Sequence, residues 1–62
     1  MKAYYIRENE EEIETRVFAQ NEDHAFSKYI DNLEAYGGNE GIKSLTVRNP
    51  ASNKETTFMF PQ

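Results

Sequence analysis

The sequence predicts an α+β fold: one four-stranded, mostly antiparallel sheet with a single helix on one face, in the order ββαββ. Three observations carry this reading. Residues 12–19 alternate apolar and polar side chains, and residues 22–36 repeat theirs at helical spacing. Two further short runs, rich in β-branched and aromatic residues, then follow. The 62 residues form one small domain, 1–62, with no internal repeat, low-complexity tract or linker.

The first strand is predicted over residues 2–7, where Tyr4, Tyr5 and Ile6 are strand formers. Glu8, Asn9, Glu10 and Glu11 make a polar turn of hairpin length. Over 12–19, Ile13, Thr15, Val17 and Ala19 share one side, and Glu12, Glu14, Arg16 and Phe18 share the other. That period of two defines a half-buried strand. The helix follows over 22–36. Asn21 caps it, Glu22 and Asp23 place negative charge at its positive end, and Phe26, Ile30 and Leu33 form a stripe that Ala25 and Tyr29 widen. Gly37-Gly38 supplies a left-handed stop. A third strand covers 42–48 and ends at Asn49-Pro50, residues 49–54 turn, and a fourth strand runs over 55–60 until Pro61. Strand order is left open by these patterns.

Val, Ile, Leu and Phe together supply only twelve residues, so the core is thin and the four Tyr matter to it. Without cysteine there is no disulfide, zinc ribbon, iron–sulfur ligation or thiol catalysis. No apolar run is long enough to cross a bilayer and no signal peptide opens the chain, which predicts a soluble cytoplasmic protein without membrane contact.

Net charge is -4 and the sequence pI is about 4.8. Residues 8–34 hold nine acids against Arg16 and Lys28, whereas the remaining residues are net basic. Such lopsidedness repels nucleic acid and favours a basic partner. Tyr4 or Tyr5 with Phe18, Arg16 and Arg48 on a bare sheet face has the makings of a base-stacking platform. The acidic balance and the lack of a basic stripe argue against direct nucleic-acid binding.

Nothing points to catalysis, a metal or a cofactor. His24 is the single histidine, and no orienting acid is patterned around it and Ser27, so it reads as a solvated or locally bonded residue. The run Glu8-Asn9-Glu10-Glu11-Glu12 lacks the alternating ligands and central Gly of a calcium loop. The stretch from Gly37 to Gly41 shares only its glycines with a phosphate loop. More informative is the sheet itself. One helix covers one face, and if Ile13, Val17, Phe58 and Phe60 face it, then Phe18 and Met59 point away with one of Tyr4 and Tyr5. Rimmed by Glu12, Glu14, Arg16 and Arg48, that patch fits a protein-binding surface or a homodimer interface; scattered exposed apolar side chains are the plainer explanation.

The opening Met1-Lys2-Ala3-Tyr4-Tyr5-Ile6 strand, the passage Val17-Phe18-Ala19-Gln20-Asn21 into a helix carrying Ala25, and the closing hairpin together resemble small phage-encoded inhibitors of the anti-CRISPR type. The resemblance is one of pattern and covers most of the chain. It implies a non-catalytic, stoichiometric blocker of a nucleic-acid-handling complex. Acidic members of this broad group mimic DNA phosphates, and Glu8, Glu10, Glu11, Glu12 and Glu14, with Glu22 and Asp23, are the residues that do so here if the resemblance holds. An ordinary solvated acidic turn accounts for the same residues. The expected partner-binding set is therefore Glu8, Glu10, Glu11, Glu12, Glu14, Tyr5, Arg16 and Phe18, directed at a basic protein surface. The alternative is a self-assembling module that pairs through its open sheet face or an edge strand.

Overall fold

The computed structural model describes residues 1–35 and 41–60. In chain order it contains β1 (Lys2–Glu8), β2 (Thr15–Ala19), α1 (Glu22–Ala35), β3 (Ser44–Asn49) and β4 (Lys54–Met59). The strands form one antiparallel sheet in the order β2-β1-β3-β4, so β2 and β4 are its edges. The α+β class and the ββαββ order predicted from the sequence are those observed.

Register assigns the faces. Tyr4 lies opposite Val17, Ile6 opposite both Thr15 and Val47, and Leu45 opposite Phe58, which aligns one set of side chains beneath the helix. Tyr4, Ile6, Leu45 and Val47 are fully buried, all on the two central strands, together with Ala19 and Ala25. Burial of Ile6, Leu45 and Val47 contributes about 1.5–3 kcal/mol each before entropy is counted. Phe26 of α1 stacks on Phe58 with ring centroids 4.3 Å apart and tilts against Phe60 at 5.9 Å, carrying the core out to β4.

The helix begins where its cap predicts. Asn21 Oδ1 accepts the backbone N–H of His24 at 2.8 Å, satisfying an otherwise orphaned donor of the first turn. Ala25, Phe26, Tyr29 and Ile30 meet the sheet as the spacing requires, whereas Leu33, expected in the same stripe, is half-buried and outside the core cluster of the described residues. The expected last residue, Tyr36, and the Gly37-Gly38 stop lie outside the described residues. Between β3 and β4, Asn49 Oδ1 accepts from Ala51 N–H at 3.0 Å and its carbonyl accepts from Asn53 N–H at 2.7 Å. This is the turn that the Asn-Pro pair predicts.

The second strand is shorter than the alternation predicts: it starts at Thr15, not at residue 12. Asn9 and Glu10 both have positive φ, 52° and 61°, and Glu11 N–H donates to the Glu8 carbonyl at 2.9 Å. The turn thus closes early and directs Asn9 towards β3, where its N–H donates to the Ser44 carbonyl. Residues 11–14 are left outside the ladder with β1. Ile13, expected beneath the helix, is consequently 81% exposed. β3 starts two residues later and ends one later than predicted, and β4 is displaced by one residue, with Ile42 packed against the core although outside the strand.

Candidate functional site

Because α1 covers one face, the opposite face is open and carries Ala3, Tyr5 and Arg7 of β1, Arg16 and Phe18 of β2, Thr46 and Arg48 of β3, and Glu55, Thr57 and Met59 of β4. All three arginines of the chain stand on it. Tyr5 is directly opposite both Arg16 and Arg48, so one row across three strands reads Arg16, Tyr5, Arg48.

Arg48 is the best-held side chain of this face. Its Nε donates to Glu14 Oε2 at 3.0 Å and its Nη2 to Glu14 Oε1 at 2.8 Å, a two-pronged contact that fixes the guanidinium plane. The same guanidinium lies 4.8 Å from the centroid of the Tyr5 ring. Hydrogen bonding from Arg48, reinforced by its charge and that of Arg7, holds the Glu14 carboxyl below its ordinary value of 4.5 against the opposing effect of burial. Glu14 in turn raises the Arg48 guanidinium above its usual value. Beside this group Arg7 Nη2 donates to Glu55 Oε2 at 2.9 Å, while Arg7 Nε is buried without a partner among the described residues.

Arg16 and Phe18 sit together at the β2 edge, the guanidinium 5.4 Å from the ring centroid. Arg16 has no ion-pair partner among the described residues. Phe18 is 50% exposed, and Met59 at the far edge is 73% exposed. A shallow groove of about 500 Å³ runs from Arg16 between β2 and α1, past Val17, Lys28 and Tyr29.

The structure thus brings Tyr5, Arg16 and Phe18 onto one face, as strand parity required, and adds Arg48 and Glu14 as a locked pair. It divides the predicted acidic set. Glu14 belongs to the open face. Glu8 is on the other side, accepting a hydrogen bond from the Tyr29 hydroxyl. Burial, then that hydrogen bond and the Glu8 charge, push Tyr29 up to about 12. Glu10, Glu11 and Glu12 are exposed and unpaired among the described residues. His24 is locally bonded: its Nδ1 accepts the Gln20 N–H at 3.0 Å.

The side chain that sequence reasoning missed is Asn9. Its Oδ1 accepts from Lys43 N–H at 2.6 Å and from Ser44 N–H at 3.2 Å, and its Nδ2 donates to the Gly41 carbonyl at 2.8 Å. It clips the first turn to the start of β3. The available signal was an Asn inside a polar turn, where a left-handed conformation is tolerated.

Among the described residues no group of three His, Cys, Asp or Glu is placed to hold a metal ion, and no helix is long and apolar enough to cross a membrane. Comparison with family models, curated proteins and solved structures finds no match to this chain.

Proposed function

We propose that this chain is a non-catalytic protein-binding module that docks its partner on the open sheet face. The observation that carries the reading is the Tyr5–Arg48–Glu14 group beside Arg16 and Phe18. Arginine and tyrosine are the side chains that dominate interface energetics, and here they are fixed in place before any partner arrives. Pre-positioning lowers the entropy cost of docking, and the half-exposed Phe18 adds apolar area at the point of contact.

Within this reading the partner belongs to a nucleic-acid-handling complex and sets a basic patch against the acidic turn rather than against the arginine-bearing open face, and the chain acts as its stoichiometric inhibitor, as small phage proteins do. Support for the narrower role comes from Glu10, Glu11 and Glu12, three exposed carboxylates in a row beside the open face's Glu14. Charges so placed steer association with a basic surface and make it sensitive to salt.

The test is capture from bacterial lysate on tagged protein, with nuclease treatment, comparing wild type with Phe18→Asp and with charge reversal at Glu10, Glu11 and Glu12. The expected result is a complex retained after nuclease, lost in Phe18→Asp, and held less tightly with a flatter salt dependence in the charge-reversed variant. Equal capture by Phe18→Asp would refute the docking face. Unchanged affinity on charge reversal would remove the acidic turn from the account.

A further inference from the structure

The two edges of the sheet are treated differently by the rest of the molecule. Tyr4 and Val17, Ile6 and Thr15, and Lys2 and Ala19 are the facing pairs on the helix side of β1 and β2. Asn9 N–H reaches the Ser44 carbonyl, so the alternate residues 5, 7 and 9 turn their backbone groups to β3, and 4 and 6 turn theirs to β2. In β2, therefore, residues 15, 17 and 19 bond inward, and Arg16, Phe18 and Gln20 present backbone groups to the outside. Two of those outward groups are taken by α1. Lys28 Nζ donates to the Phe18 carbonyl, and Gln20 N–H donates to His24 Nδ1. The β2 edge is guarded at its Phe18–Gln20 end, with the Arg16 backbone groups and the Phe18 N–H left without a partner among the described residues.

The β4 edge is not. Phe60 N–H donates to the Lys43 carbonyl, which fixes Phe60, Phe58, Thr56 and Lys54 as the residues that bond inward to β3. Glu55, Thr57 and Met59 consequently present their N–H and C=O groups outward, and none of these has a partner among the described residues. An edge of this length is a template for one more strand.

We infer that β4 pairs antiparallel with β4 of a second copy of this chain, joining two sheets into one across a twofold axis at Thr57. Backbone complementarity and charge select that register. With the axis at Thr57, Thr57 faces Thr57, Glu55 faces Met59 of the second copy, and Lys54 faces Phe60 of the second copy. This gives three bonded pairs, each exchanging two hydrogen bonds, with no like charges opposed. Moving the axis to Glu55 sets two carboxylates face to face. Moving it to Met59 brings in Pro61, which has no N–H to give. A seam along one short strand buries less than the roughly 1,200 Å² of a standard interface, so the association is weak and concentration-dependent.

Sedimentation equilibrium of the full chain from about 10 µM to about 1 mM reads this directly, because a weak seam fills over that range. The expected result is a rise from one to two chain masses, favoured by added salt because each copy carries a net charge of -4. Thr57→Pro removes an outward N–H and no backbone bond of the ladder, together with the Thr57 hydroxyl contact to Thr46; measured against Thr57→Val, which loses that hydroxyl contact alone, it should weaken the dimer at least about tenfold, a loss of about 1.4 kcal/mol. Hydrogen exchange on the wild-type chain provides a readout that needs no variant. The Glu55, Thr57 and Met59 amides should gain protection as concentration rises, and the Arg16 and Phe18 amides should not. A monomer at about 1 mM, or a dimer that leaves the β4 amides unprotected, would overturn the inference.

Discussion

Asn9→Ala should destabilise the fold by about 2 kcal/mol. Its side chain makes three hydrogen bonds, to Gly41 and Lys43 at the surface and to Ser44 where it is part-buried. At about 0.5 kcal/mol each, a low-end value set by the two exposed bonds, their loss accounts for about 1.5 kcal/mol. The remainder comes from φ: at +52° an alanine Cβ is in a left-handed conformation that Asn tolerates better, adding about 0.5 kcal/mol or more. For a domain of this size, about 2 kcal/mol corresponds to a fall in Tm of about 15 °C. Thermal and urea unfolding followed by circular dichroism measures it. Asn9→Gly separates the two contributions, because it loses the same bonds while relieving the backbone, and it should fall between wild type and Asn9→Ala. An Asn9→Ala variant within about 0.5 kcal/mol of wild type, inside the range of ordinary surface substitutions, would refute the clip. A glycine variant less stable than the alanine variant would refute the conformational part.

Other consequences are open to direct measurement. Tyr29 has its pKa raised to about 12, so the stability it contributes is fully present below its ordinary value of 10.0 and is lost as pH rises towards the folded value. Alkaline titration should show that loss in wild type and a flatter limb in Tyr29→Phe; identical limbs would disprove the link. Glu14 has its pKa lowered by Arg48, so its contribution is present above the ordinary 4.5 and is lost as pH falls through the depressed folded value. Glu14→Gln should therefore flatten the acid limb of the Tm profile while leaving the alkaline limb unchanged. Phe26→Ala removes a ring stacked on Phe58 and in contact with Phe60, and should cost about 3 kcal/mol in urea unfolding. A loss under about 1 kcal/mol would mean that β4 is held by its backbone ladder rather than by this aromatic contact.

Local chemistry was readable in the sequence wherever a short segment decides its own conformation. The helix is legible because Asn21, the first-turn acids and the spacing from Ala25 to Ile30 all agree, and the second turn because Asn49 bonds within its own loop. Alternation misplaced the start of β2 for a definable reason. Period two continues through Ile13, but a ladder needs a partner, and the positive φ angles at Asn9 and Glu10 turn β1 away before that partner is reached. Strand order was not legible, since several orders bury the same stripes. For the face, parity alone put Arg16 with Phe18 and separated Tyr5 from Tyr4. The Arg48–Glu14 lock was invisible because it joins residues that the sheet, not the chain, makes neighbours. The acidic run looked continuous in sequence and is divided in space, Glu8 to the helix side and Glu14 to the open side.

The order β2-β1-β3-β4 has a further consequence. Everything N-terminal to the connector after α1 lies on one side of the β1–β3 seam, apart from the helix crossing it, and everything C-terminal lies on the other. Each half already holds its own hairpin ladder, β1 with β2 and β3 with β4. Two separately made peptides, cut between α1 and β3, would meet along the β1–β3 junction, with Ile6 against Val47 and Asn9 on Lys43 and Ser44, and along the face of α1, where Phe26 stacks on Phe58. Reassembly of such fragments would turn the seam into a bimolecular reaction, whose equilibrium reports together the central junction, the packing of Phe26 on Phe58 and Phe60, and the ordering of the hairpins that docking completes.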